Sequence, residues 1–414
     1  MPVLPDSPQI EAFGTQIRQM LSLDEGLLHM DVGAAALRSR GTPGASDVVT
    51  STFADIREAV APGFGCDRDE LVITHNTTDA MCKILAGLDL RAGDEIVTTS
   101  HEHYAGLAAM ALVRDRQGVV IRQVSLPAGN NQRAEDYVEL FAAAITHHTK
   151  VLLFSAPTYT TGAMLPVRML ASLAQQHNLI TVVDAAHVPG MLHCNFHELG
   201  VDFLAGSGTK WQYGPAGTGI LYVRNKVLPQ YNPLPLPTFW PVISIWYPPE
   251  GGLPPRSNTN IPSYDIAEYL QTAGSDSLTR LQTFREACEI WDKVGRAGIE
   301  KYLLELGLYL KERIAEQWGI DSLYSPKDDA RLLTAITAFN PFRRGEDALD
   351  SRKFETFVTL MRKEHHIVVR QTEFPVAGAR GLHQAIRIST CLFHDREDVD
   401  HLVRAMVKVS ATME

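Results

Sequence analysis

Between Glu70 and Val223 short apolar runs alternate with helix-length segments, and this rhythm restricts the fold more than any other feature of the chain. Leu71–Thr74 and residues 94–100, 119–126, 150–155, 179–183 and 220–223 read as strands, with helices at 80–88 and 133–144. Residues 150–155 and 179–183 are near-continuous apolar runs, so both of their faces must be covered. Strands joined through helices pair in parallel, because a parallel neighbour is reached only by a crossover. The expected fold class is α/β, a mostly parallel sheet with helices on both faces.

The rhythm changes beyond residue 291. A helix at 299–316, a strand at 332–339, a helix at Ser351–His365, strands at 367–370 and from 385, and a last helix describe a smaller α+β domain over 292–414. The larger domain is expected over 28–291. Residues 1–27 place Ile10, Phe13, Ile17, Met20 and Leu21 at helical spacing and read as a helical arm. A length of 414 residues agrees with more than one domain.

A formal charge of −10 argues against nucleic acid or an anionic membrane as a partner. The five cysteines are scattered without a C-x-x-C pair, which argues against a disulfide framework or a structural zinc site and fits a reducing cytoplasm. No run approaches the length of a membrane span, and no metal ligand set is expected. A cytoplasmic protein is the expectation.

The chemistry concentrates in residues 181–219. The strand at 179–183 ends on a carboxylate, Asp184, and His187 follows three residues later. A second strand runs into Ser207-Gly-Thr-Lys210-Trp211, and Gly214-Pro-Ala-Gly-Thr-Gly219 follows. Pyridoxal 5′-phosphate needs such a set: a lysine for a Schiff base with its aldehyde, and a carboxylate that keeps its ring nitrogen protonated so that the ring accepts electrons. Upstream, His75-Asn-Thr-Thr-Asp79 precedes the helix at 80–88, and a helix N-terminus offers N–H groups and a positive dipole end to a phosphate.

These segments resemble the pyridoxal-phosphate-dependent fold-type I, class V aminotransferase-like family, which includes cysteine desulfurases, C–S lyases and isopenicillin N epimerase-like enzymes. The resemblance spans roughly residues 28–405. It implies a large domain with a mostly parallel seven-stranded sheet, a smaller α+β C-terminal domain on which the arm packs, and a homodimer with active sites at the subunit interface. It assigns the Schiff base to Lys210 and the ring nitrogen to Asp184, and sets His187 beside the cofactor. Thr77, Thr78, Ser207 and Thr209 would hold phosphate, with Ser275 reaching it across the dimer. His103, in His101-Glu-His103, would stack on the ring and serve in acid/base work. Arg387, in Ala385-Ile-Arg-Ile-Ser389, would clamp the substrate α-carboxylate, and Arg370 matches a second active-site arginine. Asp31 stands where relatives carry an Asn near the substrate, and a plain surface turn is equally open there.

Several positions depart from the family pattern. Tyr159 fills the slot of an Asn that contacts the cofactor's phenolic oxygen, and Thr209 replaces a phosphate-binding His. Asp79 stands in place of a Glu. Pro375 occupies the position of the nucleophilic cysteine of desulfurases, which disfavours a persulfide route. Residues 229–255 are rich in proline and carry Phe239, Trp240, Trp246 and Tyr247. They read as an ordered loop lining a pocket, in the manner of the epimerase-like branch.

The leading expectation is a pyridoxal phosphate enzyme of that branch, acting at Cα of an amino-acid or peptide-like substrate through an external aldimine and tailoring a specialised metabolite by epimerisation, oxidative deamination or decarboxylation. A C–S β-lyase without a cysteine nucleophile is the runner-up. A non-catalytic binding protein on the same fold is the rival from another class.

Overall fold

The computed structural model describes residues 28–29, 53–225, 266–271, 277–342 and 345–413. The expected helical arm at 1–27, Asp31, the loop at 229–255 and Ser275 lie outside the described residues.

Twelve strands are described: β1 (Leu28–His29), β2 (Leu71–Thr74), β3 (Glu95–Thr99), β4 (Val120–Val124), β5 (Thr149–Ser155), β6 (Ile180–Ala185), β7 (Phe203–Ser207), β8 (Gly219–Val223), β9 (Ile336–Phe339), β10 (Ile367–Val368), β11 (Arg370–Pro375) and β12 (Leu382–Ser389). Seven of them form one sheet in the order β2-β8-β7-β6-β5-β3-β4. The neighbours from β7 to β4 pair in parallel, whereas β8 runs antiparallel to both β7 and β2. The expected mostly parallel, seven-stranded sheet is present.

The reversal at β8 has a local cause. Between Ser207 and Gly219 the chain folds back on itself, with Gly208 N–H donating to the Thr218 carbonyl, Gly214 N–H to the Gly208 carbonyl and Thr218 Oγ1 to the Pro215 carbonyl. Gly217 adopts φ 82°, a left-handed conformation that favours glycine. So compact a turn leaves no length for a crossover helix, and the next strand returns antiparallel.

The inner strands β5, β6 and β7 are buried along almost their whole length. One face carries Leu152, Phe154, Val183 and Leu204 against Tyr137, Phe141 and Leu170 of the helices Ala134–Ala144 and Val167–Gln176. The other carries Val151, Leu153, Val182 and Phe203 against Met81, Ile84 and Met110 of the helices Thr77–Gly87 and Tyr104–Gln117. Alternate residues of one strand thus serve two apolar layers, which is why the central residues of these runs are apolar.

A three-stranded antiparallel sheet, β11-β12-β9, sits with the helices Arg296–Trp318, Ser351–His365 and Arg396–Met413 around a separate apolar cluster. β1 pairs in parallel with β10, joining an early segment of the chain to a late one. The strand expected at 332–339 begins only at Ile336, because Ala330–Leu332 is a 3-10 turn started by the Asp329 side chain, which accepts from Arg331 N–H. The strand expected at 367–370 is divided: β10 pairs with β1, and Arg370 opens β11 against β12. The helix expected at 80–88 already begins at Thr77, since Asn76 caps it by accepting from Asp79 N–H at 2.8 Å. Among the described residues no helix is long and apolar enough to cross a membrane.

In a parallel sheet the strand ends and the helix starts that follow them gather at one edge, and this is where such folds place ligands. Here the C-terminal ends of β6 and β7, Tyr159 from the segment after β5 and the start of helix Thr77–Gly87 line one cavity.

Candidate active site

Asp184 is the penultimate residue of β6, between Ser155 of β5 and Ala205 of β7. It is buried, and burial pushes its carboxyl above the usual range while the Lys210 charge opposes that rise. Its Oδ1 accepts from Ala186 N–H at 3.1 Å, and its Oδ2 is buried with no hydrogen-bond partner among the described residues. A buried carboxylate oxygen left unmatched is costly unless something occupies the space before it.

After Asp184 the chain turns sharply at Gly190, where φ is 86°. A Cβ there would lie 2.2 Å from the backbone of Trp211 and Gln212, so only glycine lets the two segments meet. That approach brings His187 against Lys210, with Nε2 and Nζ 3.0 Å apart. Trp211 Nε1 donates to His187 Nδ1, also at 3.0 Å. His187 is buried, and desolvation, followed by the charges of Lys210 and Arg387, holds it well below the usual histidine value.

The cavity has a volume of about 270 Å³. At one end Asn76, Thr77 and Thr78, at the start of helix Thr77–Gly87, face Ser207 and Thr209. The Ser207 and Thr209 hydroxyls lie 3.2 Å apart. This end offers hydroxyls and helix N–H groups, a set suited to an anion. Asp79 is turned to other work, accepting from His75 N–H and from Lys83.

His103 caps helix Tyr104–Gln117, its Nδ1 accepting from Ala105 N–H at 3.2 Å. Burial first, then the charges of Lys210, Arg370 and Arg387, lower its pKa to about 4, so it is neutral near pH 7. Its ring meets Tyr159 edge-on at 5.1 Å. Tyr159 contributes its carbonyl, which accepts from Arg387 at 2.7 Å, and its phenol is pushed up to about 12 mainly by burial. Arg387 is buried, whereas Arg370 is exposed at the mouth.

Lys210, Asp184, His187, His103, Thr77, Thr78, Ser207, Thr209, Tyr159, Arg387 and Arg370 therefore line one cavity. Asn76, which also lines it, was not singled out in the sequence, although its place before two threonines fits a cap. Nor was Glu102, a buried neighbour of His103 whose carboxylate accepts from Ser155 N–H, Ser155 Oγ and Thr99 Oγ1. Pro375 receives a hydrogen bond at its carbonyl from His101 Nε2, and Cys391 is buried beside His394. None of the five cysteines lines the cavity. Asp67, Glu70 and His197 cluster elsewhere, where Glu70 is already engaged by Asp67 N–H, Asn225 N–H and His197.

The cavity fits pyridoxal phosphate on the chain's own features. A carboxylate oxygen without a partner suits a protonated ring nitrogen, an amine suits the aldehyde, and a hydroxyl-lined helix start suits the phosphate.

Comparison with known proteins agrees. The family described as aminotransferase class-V matches residues 25–402. An isopenicillin N epimerase of Amycolatopsis lactamdurans is 25% identical over 411 residues, covering 95% of this chain and 98% of that one. A second, from Streptomyces clavuligerus, is 28% identical over 355 residues, covering 84% and 82%. A cysteine desulfurase of Yersinia pestis (strain Pestoides F) is 26% identical over 395 residues, covering 94% and 89%. Among solved structures, the apo cysteine desulfurase of Thermococcus onnurineus NA1 superposes with a TM-score of 0.75 at 20% identity, over 96% of this chain and 98% of that one. A cystine C–S lyase in complex with its product, cysteine persulfide, gives 0.68 at 20% identity, over 98% and 94%. These two likenesses concern the fold.

Proposed function

Because this chain belongs to the aminotransferase class-V family, a family that uses pyridoxal phosphate, we propose that it is an enzyme acting at Cα of an amino-acid or peptide-like substrate, on the epimerase-like side of that family. The observation that carries this reading is the unmatched Oδ2 of Asp184 in the same cavity as the Lys210 amine. Asp184 would hold the ring nitrogen, and Thr77, Thr78, Ser207, Thr209 and the first N–H groups of helix Thr77–Gly87 the phosphate. When bound, pyridoxal phosphate supplies an aldehyde that captures the substrate amine and an electron sink for the charge left on Cα.

The chain's residues do the rest. Arg387, braced by the Tyr159 carbonyl, binds the substrate carboxylate and so fixes which bond at Cα stands ready to break. Lys210, once released, takes the Cα proton. Neutral His103 and the Tyr159 phenol line the same cavity and are the groups available for a second proton transfer, the step that inverts the centre. Pro375, in the position of the desulfurase cysteine, and a cavity without a thiol support a reaction that needs no sulfur nucleophile. The active unit would be a homodimer.

A second reading, β-elimination at a C–S bond, draws on the cysteine desulfurase relatives and uses the same lysine. One experiment separates the two: an amino-acid panel is incubated in deuterium oxide, with product mass and chirality followed together with oxygen uptake. Deuterium at Cα with inversion supports epimerisation, and oxygen uptake with loss of nitrogen or carbon dioxide supports the oxidative variants. Pyruvate with released sulfur supports the lyase. A preparation that binds the cofactor and shows none of these on any amino acid or peptide overturns the assignment.

A further inference from the structure

Trp211 directly follows Lys210, is buried, and directs its indole N–H at His187. An indole N–H donates and cannot accept, so His187 Nδ1 must offer a lone pair. A neutral imidazole carries one proton, which this contact assigns to Nε2. Nε2 faces Lys210 Nζ at 3.0 Å. For that contact to be a hydrogen bond, Nε2–H donates and the lysine nitrogen accepts, and only an uncharged amine has a lone pair to accept with. An imidazolium would bring a second N–H against the indole N–H. A lysine ammonium would bring its protons against Nε2–H. Each alternative sets two donors face to face against the buried His187 ring.

From this geometry we propose that Trp211 is a positioning residue that fixes the His187 tautomer and thereby holds Lys210 as a neutral amine, ready to capture the cofactor. The proposal rests on the reading of Lys210 as the cofactor's lysine. In the capture step the amine lone pair forms the bond to the aldehyde carbon, and the aldehyde oxygen leaves as water with the two amine protons. An ordinary lysine near neutral pH presents this lone pair in only about one molecule in a thousand. Burial is the first cause that keeps the His187 imidazole neutral; a charge on Lys210 would add to it but is not needed, since burial and the charges of Arg387 and Arg370 act the same way. The device is built from adjacency: one peptide bond carries both the amine and the group that orients its neighbour.

The test uses the full-length cofactor-free protein mixed with pyridoxal 5′-phosphate, with capture followed by visible absorbance across about pH 6 to 9. In the unaltered protein the capture rate should change little with pH. In Trp211→Phe, which keeps the ring and removes the N–H, capture near pH 7 should slow roughly tenfold or more and recover as pH rises. Nitrogen-15 spectra of the cofactor-free protein should give His187 protonated at Nε2, with tautomers mixed in Trp211→Phe. Equal rates and pH profiles in the two proteins, or a His187 protonated at Nδ1, would overturn the proposal. So would slowing confined to Trp211→Leu, since that assigns packing rather than the hydrogen bond. Capture that persists in Lys210→Ala removes the lysine reading itself, and this inference with it.

Discussion

Arg370 and Arg387 are direct cross-strand partners on β11 and β12, and both reach the cavity that contains Lys210. Two guanidiniums on one rung repel each other, and like charges directly opposite are unfavourable in a sheet. An anion bound beside both guanidiniums would relieve that repulsion. Arg387, buried and held by the Tyr159 carbonyl, is the stronger candidate for the α-carboxylate. Arg387→Ala should weaken transition-state binding of carboxylate substrates by about 2–5 kcal/mol, read as kcat/KM. Arg370→Ala at the exposed mouth should cost less. Unchanged kinetics in Arg387→Ala would refute the clamp.

Lys210→Ala should abolish the adduct that borohydride traps between protein and cofactor. Mass analysis of the reduced protein locates the modified peptide. An adduct on any other lysine in the unaltered protein would displace Lys210 from its assignment.

Asp184→Asn keeps the shape and an oxygen for Ala186 N–H, and removes the charge that, on the proposed reading, would retain a proton on the ring nitrogen. Turnover should fall at least about a hundredfold, and the absorbance of the loaded protein should change its response to pH. Equal turnover would separate Asp184 from the chemistry.

Glu102 links the titration of the site to stability. Burial lifts its carboxyl to about 7, the nearby Asp184 charge adds to the rise, and hydrogen bonds from Ser155 and Thr99 oppose it. The folded protein therefore keeps a proton that the unfolded chain has released, so stability falls as pH rises from about 4.5 to about 7. The loss contributed by this group is up to about 3 kcal/mol, and Glu102→Gln should remove it. Urea unfolding of the cofactor-free protein at several pH values measures the slope. A variant with the same slope as the unaltered protein would assign the dependence to other groups.

Gly190→Ala places a methyl group against the backbone of Trp211 and Gln212 at a left-handed φ. Destabilisation on the order of 2 kcal/mol or more is expected, with slower cofactor capture as His187 and Lys210 are forced apart. Chemical unfolding and absorbance report the two effects, and full stability would contradict the close approach.

The sheet was legible in the sequence because the covering of both strand faces leaves its mark on the central residues of β5 to β7. Asp184 and Lys210 were legible for a related reason: polar groups that end apolar strands stand out. What escaped depends on approach across turns rather than on pattern. Trp211 stands in the motif beside Lys210, but its contact with His187 depends on the close approach at Gly190, and Glu102 is only the middle of His101-Glu-His103 until Ser155 donates to it twice. Leu332 and its neighbours looked like the start of a strand because the Asp329 cap that bends them is a single short side chain. Asp31, Ser275 and the proline-rich loop remain expectations of the sequence.

The pairing of β1 with β10 has a consequence for how the enzyme is made. All seven strands of the main sheet precede residue 224, so every residue of that sheet, with Asp184 and Lys210, is synthesised before either arginine. Leu28 and His29 must wait for Ile367 and Val368. On the ribosome Leu28 and His29 are therefore made early and pair late, and on the proposed reading the residues for the cofactor are synthesised well before those for a carboxylate.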